Sequence, residues 1–220
     1  MVRRTKEDAQ QTRSQLLDAA EGLFHAQGVS RTSLQDIAAA AGTTRGAIYW
    51  HFKDKADLFN AMMERVTLPM EESIQDLGKD PASDAMSEIR ESVRKALRLV
   101  TDDLQVRRVF EIATHQVEYV DEHRAVKERH LTSRNDCLAK IETGLARAAS
   151  QQGLAMNLPA GVAVHGLHAV VDGLIQNWLL DATAFDLVDV GVHSVDIYLR
   201  GLGFGSKPAA VPALAESTVE

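Results

Sequence analysis

Hydrophobic residues recur along this chain at the three- and four-residue intervals of a helical face. The first predicted helix runs from Glu7 to Gln27 and ends at Gly28. We expect its apolar face to pack against the segment that follows. That face consists of Leu16, Leu17, Ala20, Leu23 and Phe24.

A short second helix is predicted next, with Thr32 or Ser33 as its N-cap and an amide or acidic residue three positions later, as in a capping box. Gly42 supplies the left-handed residue that ends this helix. Its apolar face comprises Leu34, Ile37, Ala38 and Ala41.

A third helix is predicted from Arg45 to His51, after a cap at Thr43 or Thr44. Two short helices joined by a glycine-containing turn form a helix-turn-helix, whose second helix fits the major groove of DNA. The pattern alone is weak evidence for DNA binding, because short alanine-rich helices around a glycine are common.

Six further helices are predicted after this motif, with a clear loop at residues 78–84. Pro69 is expected to stop or kink the first of them. Residues 205–220 are small and uncapped, and we predict a disordered tail there. The expected helices run from Asp54 to about Leu68, Ser83 to about Val100, Leu104 to about Tyr119, Asp121 to Gln151, Ala160 to Leu180, and about Leu187 to Leu202.

The composition favours an all-α fold, because prolines number 5 in 220 residues and aromatic residues make up 5% of the chain. We predict a three-helix domain in residues 1–53 and a larger helical domain in residues 54–204. The last two helices carry more apolar surface than one bundle needs, which suggests a four-helix contact between two subunits.

The charge distribution separates the two ends of the chain. Residues 1–55 hold 8 Lys and Arg against 6 Asp and Glu, whereas the whole chain has a net charge of −7. A mildly basic head on an acidic body suits a protein that meets phosphate at one end, although chance asymmetry is an alternative explanation.

The cysteine count and the apolar segments bear on the compartment. A single cysteine, Cys137, excludes an internal disulfide and suits a reducing cytosol, with inert packing favoured over redox sensing. The N-terminus shows no signal-peptide pattern. The most apolar stretch, Leu158–Leu180, contains His165 and Asp172, so a buried helix is favoured over a membrane span. We expect a cytoplasmic protein.

The stretch TTRGAIYWHFKDKADLF closely resembles the recognition segment of TetR-family transcriptional regulators, and the preceding residues continue the resemblance. It is most similar to the AcrR/TtgR-type repressors of multidrug efflux pumps. The resemblance implies about nine helices, an N-terminal helix-turn-helix domain, and a C-terminal domain that binds ligand and dimerises through the last two helices. It implies a repressor released from a palindromic operator by a small hydrophobic or aromatic ligand.

Candidate DNA contacts cluster on the predicted recognition helix and its flanks. Arg45 is the best candidate for contact with a base edge, with a phosphate contact or a plain surface charge as alternatives. The backbone phosphate contacts should supply most of the affinity. The full set is Thr32, Ser33, Thr43, Thr44, Arg45, Gly46, Tyr49, Trp50, His51, Lys53 and Lys55.

A ligand pocket is expected inside the second domain. The segment VDGLIQNWLL resembles one in efflux-pump repressors whose acid borders the drug pocket, which implies that Asp172 is a polar anchor. Methionines suit a pocket that accepts varied shapes, although ordinary core packing is the more common role. The candidates are Met63, Val66, Met70, Val93, Leu97, Phe110, Ala113, Thr114, Asn135, Leu138, Asp172 and Ile175.

Other functional classes have little support in the sequence. His165 and His168 could share a metal, but no third ligand is predictable, so we expect no metal and no cofactor. No nucleotide-binding or hydrolase motif occurs. The alternatives are a regulator of a metabolic or other non-efflux operon, a helical enzyme using Asp172 with His168, and a helical interaction module without DNA contact.

Overall fold

The computed structural model describes residues 6–75, 80, 82–117 and 124–205, and their side chains except those of residues 69–75. Over these ranges the chain forms nine α-helices and no strand, which confirms the all-α prediction. They are α1 (Lys6–Gln27), α2 (Leu34–Ala40), α3 (Arg45–His51), α4 (Lys55–Gln75), α5 (Ala85–Asp102), α6 (Leu104–His115), α7 (Arg124–Gln152), α8 (Ala160–Leu180) and α9 (Leu187–Gly201).

The first three helices pack on one another around a small apolar core. Ser33 caps α2, because its hydroxyl accepts from the Asp36 N–H while the Asp36 carboxylate accepts from the Ser33 N–H. Gly42, with φ of 65°, makes the left-handed turn into α3. The core residues of this unit include Leu16, Leu17, Ala20, Phe24, Ile37, Ala38 and Ile48.

The fourth helix connects this unit to the remaining helices. It packs against α1 on one side and against α5, α6 and α7 on the other. α8 packs between α7 and α9, and α5 contacts both α7 and α9. A displacement of α4 would therefore change its contacts both with the first three helices and with the larger bundle.

Two predicted helix ends were wrong. α4 continues through Pro69 to Gln75. A proline inside a helix costs about 3 kcal/mol, and the contacts of α4 with α1, α5, α6 and α7 can offset this loss. α6 ends at His115, short of the predicted Tyr119. The reason is that the Gln116 carbonyl leaves the helix to accept the Val29 N–H at 3.2 Å.

The remaining predicted boundaries agree with the structure or fall beyond it. α8 has the predicted range, and α9 begins at the predicted residue. Asp84 caps α5, one residue beyond the predicted start. The predicted start of α7 at Asp121, residues 78, 79 and 81 of the loop at 78–84, and residues 206–220 of the predicted tail lie outside the described residues.

Candidate nucleic-acid interface and ligand cavity

The exposed surface of α3 combines a cation with two aromatic side chains. Trp50 is 72% exposed and Tyr49 is 49% exposed, while Ile48 of the same helix is fully buried. The Arg45 guanidinium lies 5.6 Å from the centre of the Tyr49 ring, a distance at which the ring stabilises the cation. Large exposed aromatic side chains beside a cation are typical of a binding surface.

Local hydrogen bonds fix the start of this helix. Thr44, the N-cap, accepts the Ala47 N–H at 3.2 Å, and Thr43 before it is half-buried. Gly46 is exposed, and a Cβ built there would meet only the Thr44 hydroxyl at 3.9 Å. Packing within the protein therefore does not require glycine at this position. A glycine there does allow another molecule to approach the backbone closely.

A shallow groove of about 380 Å³ separates α3 from the start of α2 and the loop before it. Arg31, Arg45 and Lys55 are its charged residues, and no carboxylate among the described residues lines it. A concave basic surface of this kind suits a DNA phosphate. Its other lining residues are Ser30, Thr32, Ser33, Leu34, Gln35 and Tyr49.

The Thr32 side chain has a structural role. It is 1% exposed, its hydroxyl donates to the Gly28 carbonyl at 2.8 Å, and it accepts from the Gln27 side chain at 3.1 Å. A DNA contact at this position stays a prediction, and it would use the backbone rather than the buried hydroxyl.

Lys55 also has a role that the sequence did not reveal. Its ammonium donates to the Val29 carbonyl at 2.8 Å and to the Thr32 carbonyl at 3.1 Å. It thereby ties the start of α4 to the loop between α1 and α2. The carbonyl groups at the C-terminal end of a helix lack intrahelical donors and often accept hydrogen bonds from a lysine ammonium. The sequence did not show which lysine would reach these carbonyls.

The other predicted contact residues lie around α3. Ser33 and Lys53 are exposed, and His51 is half-buried with its ring edge-on to Trp50 at 4.7 Å between centroids. The Ser33 hydroxyl also bonds the Asp36 carboxylate, and this bond lowers the pKa of that carboxyl below its ordinary value. Ser33, Arg45 and Tyr49 line the basic groove, whereas Trp50 and His51 line a second concave surface.

A buried carboxylate joins α1 to the larger bundle, and sequence reasoning missed it. Glu21 is 6% exposed, and its carboxylate accepts from Arg65 of α4 and from Gln105 of α6, each at 3.0 Å. Arg65 also pairs with Asp18. Because these partners are distant in the chain, no local spacing could have indicated them.

Five of the twelve predicted ligand residues form packed core. A fully packed set leaves no room for a guest without rearrangement. Phe110, Ala113 and Thr114 are half-buried, and the Met70 side chain lies outside the described residues. The buried members are Val66, Val93, Leu97, Leu138 and Ile175.

Two predicted polar pocket residues differ in their positions. Asn135 is exposed, its side chain accepts from its neighbour Arg134 at 2.9 Å, and it does not line the cavity between α4, α6 and α7. It lies on the outer face of α7. Asp172 is half-buried and accepts from Gln176, one turn later on the same helix, at 2.6 Å.

A small cavity of about 50 Å³ lies between α4, α6 and α7. It includes two of the predicted ligand residues, Met63 and Ala113. Drug-sized ligands occupy roughly 300–1,000 Å³, so this cavity must widen to hold one. The remaining lining residues are Phe59, Asn60, Thr67, Val126, Arg129, His130 and Ser133.

His165 and His168 lie on α8, in the described part of the chain. No group of three potential ligands there could hold a metal ion. Burial lowers the pKa of His168 below its ordinary value of 6.5, against a smaller opposing effect of Asp172. The Asp172 carboxylate is instead hydrogen-bonded to Gln176.

No described helix is long and apolar enough to cross a membrane.

Comparison with known protein families assigns both parts of the chain. Residues 16–62 match the family described as bacterial regulatory proteins, tetR family. Residues 84–204 match the C-terminal region of MAATS-type transcriptional repressors. The two matches together cover the helix-turn-helix and nearly all of the larger bundle.

Individual relatives cover most of the chain. The HTH-type transcriptional regulator TtgR of Pseudomonas putida is 37% identical over 86% of this chain and 90% of its own length. AcrR of Shigella flexneri is 38% identical over 85% of this chain and 87% of its own length. Among solved structures, NalD, the secondary repressor of the MexAB-OprM multidrug efflux pump in Pseudomonas aeruginosa, superposes with a TM-score of 0.81 at 36% identity, over 90% of this chain and 98% of that one. A SmeT–triclosan complex superposes with a TM-score of 0.77 at 30% identity, and the match covers 96% of this chain and 99% of that one.

Proposed function

The chain belongs to the TetR family of bacterial transcriptional regulators, and on that basis we propose that it is a repressor released from a palindromic operator by a small hydrophobic ligand. Its relatives are transcriptional regulators, so the enzyme alternative is set aside. We assign DNA binding to residues 1–53, and ligand binding and dimerisation to residues 54–204. A regulator that meets DNA and small molecules in this way works in the cytoplasm.

The exposed surface of α3 carries the proposal. α3 is a helix of seven residues that begins after the cap Thr44. Its buried Ile48 packs toward the core, and its exposed Arg45 is left facing outward, as a helix that enters a major groove requires. The basic groove beside it offers a phosphate site. In this arrangement Arg45 reads a base edge, and the surrounding donors fix the register on the backbone.

Apolar side chains on the last two helices support a homodimer. Val162 is 55% exposed, and Leu180 and Ile197 are each 70% exposed. Pairing these surfaces in two protomers would remove them from water. A two-fold dimer presents two recognition helices about 34–36 Å apart, which matches half-sites in successive major grooves. The operator is therefore expected to be palindromic.

The relatives favour control of an efflux pump over control of a metabolic operon. NalD is named as a repressor of a multidrug efflux pump, and SmeT was solved with triclosan. By similarity, we assign this chain to a multidrug efflux operon and to hydrophobic or aromatic effectors. A coupling free energy of about 1–3 kcal/mol would loosen DNA by roughly 5–150-fold.

Arg45→Ala tests the DNA-reading role. Removing a bidentate interaction with a base should cost about 1–3 kcal/mol of preference for the operator over random DNA. Fluorescence anisotropy with both DNAs measures the preference, and sedimentation confirms that the variant still dimerises. An undiminished preference would remove Arg45 from base readout.

A failure of every lipophilic drug tried to lower operator affinity would reject the efflux assignment alone.

A further inference from the structure

The buried carboxylate of Glu21 has more cationic partners than a single ion pair needs. One of its oxygens accepts from Arg65 of α4 and from Gln105 of α6, each at 3.0 Å. The other oxygen lies 3.8 Å from the guanidinium of Arg108, also on α6. Burying charged groups is costly, and apolar side chains of similar size often stabilise a fold as well or better. The value of this cluster therefore lies in the arrangement that it specifies more than in stability.

The contact between α1 and α6 is polar along its whole length. One turn after Glu21, the His25 ring lies 3.1 Å from the Glu111 carboxylate. Beyond the end of α1, the Val29 N–H donates to the Gln116 carbonyl at 3.2 Å. Apolar packing has no preferred direction, whereas hydrogen bonds weaken steeply when their angle changes. Successive polar contacts of this kind hold α1 in one orientation on α6.

The same helix supports the recognition helix on its other side. α1 contacts both α2 and α3. Its Ala20 and Phe24 are buried in the core that also contains Ile48 of α3. Because packed cores resist deformation, a rotation of α1 on α6 would carry α3 with it.

We propose that Glu21 is a positioning residue for operator recognition. By docking α1 on α6, it fixes the orientation of the recognition helix relative to the body of its own protomer. In a two-fold dimer this orientation sets the separation of the two recognition helices, and therefore the half-site spacing that the dimer accepts. The inference rests on the proposed function, and it adds a residue that determines operator spacing without touching DNA.

Glu21→Gln is the variant that tests this role, because it removes the charge and keeps the size of the side chain. The new amide oxygen can still accept from Gln105, but Arg65 and Arg108 lose their shared carboxylate. Asp18→Asn is the matched control. Asp18 is also a carboxylate of α1 that pairs with Arg65, but its side chain is 62% exposed, and exposed ion pairs contribute little.

The first measurement reports the orientation without DNA. Spin labels at Ala39→Cys on α2 and Ala146→Cys on α7, both exposed positions, are introduced in a Cys137→Ser background. Dilution with unlabelled chain leaves one labelled protomer per dimer, so electron–electron resonance gives a distance within that protomer. The distance distribution should be narrow with Glu21 in place, broader in Glu21→Gln, and unchanged in Asp18→Asn.

The second measurement uses the palindromic site that footprinting identifies in the promoter DNA of this chain. Its half-sites are moved closer together or further apart by about one or two base pairs. Glu21→Gln should bind the native spacing about tenfold more weakly, and its affinities across the series should converge, since loosely held helices accept several spacings at an entropic cost. Affinity for a single half-site should be unchanged, because the DNA contacts remain.

A distance distribution in folded Glu21→Gln that is as narrow as in the native protein would overturn the proposal, and so would an unchanged spacing preference. Equal broadening in Asp18→Asn would transfer the role to Arg65. If thermal unfolding shows that Glu21→Gln does not fold, Gln105→Ala decides in its place, because it removes the α6 partner and leaves the Glu21–Arg65 pair intact. If the native chain binds no palindromic DNA while Glu21→Gln broadens the distribution, the operator assignment fails and the docking role of Glu21 stands.

Discussion

At the scale of single residues, glycine at position 46 is not required for folding but is expected to be required for DNA binding. A Cβ there makes only an ordinary contact with the Thr44 hydroxyl, so Gly46→Ala should raise the free energy of unfolding by about 0.5–1 kcal/mol. The same methyl group should weaken operator binding, because it stands on the surface that approaches DNA. Gly22→Ala in α1 is the matched control, because a Cβ there also meets no close neighbour. Thermal melting and anisotropy check both effects, and full operator affinity in Gly46→Ala would contradict the proposed close approach.

Lys53 and Lys55 are two positions apart and should behave differently. Lys53 is exposed beside α3, so Lys53→Met should reduce the slope of log affinity against log salt by about one for each phosphate that the lysine neutralises. Lys55→Met should change that slope less than Lys53→Met does, because the Lys55 ammonium is held by backbone carbonyls. It should also lower the free energy of unfolding by about 1.5–3 kcal/mol, because the substitution removes hydrogen bonds made by a charged group. If Lys55→Met lowered the slope without destabilising the fold, Lys55 would be a phosphate ligand.

His168 gives a pH dependence whose sign follows from its burial. Desolvation lowers its pKa in the folded protein, so the unfolded chain binds the proton more readily. The free energy of unfolding should therefore be fully retained above pH 6.5 and fall as the pH drops below that value. Urea titrations should show a smaller acid loss in His168→Gln. An equal loss in His168→Gln and in the native protein would contradict this assignment, and His193→Gln, at an exposed position, is the control.

At the scale of the helices, α2 and α3 were predictable because their signals are local. A capping residue, a glycine stop and a second cap lie within a few residues of one another, and the structure has Ser33, Gly42 and Thr44 in those roles. α4 was not predictable to its end, because tertiary packing overrides the local cost of Pro69. Glu21 shows the same limit, since its partners come from α4 and α6.

The ligand region shows why the candidate site was only partly predictable. The sequence placed a mixed apolar and polar set in the second domain, and Met63 and Ala113 do line the cavity. It could not separate Val66 or Leu97, which are packed core, from residues that face a cavity. Side chains of one helix divide between these roles according to small rotations of the neighbouring helices, which no local pattern records.

At the scale of the whole molecule, one arrangement accounts for the features described. The exposed α3 surface, the apolar face of α8 and α9, and the position of α4 between them fit a dimer that binds DNA at one end and ligand in its body. In such a dimer the two recognition helices bind the duplex together, about one turn of DNA apart.

The most direct measurement is the affinity of the native protein for its operator and for the same operator with about half a helical turn, roughly five base pairs, inserted between the half-sites. We expect two protomers per native operator and a large loss of affinity for the altered one, because the second helix would face the wrong side of the duplex. Equal affinity for both DNAs, or tight binding by a single protomer, would contradict it.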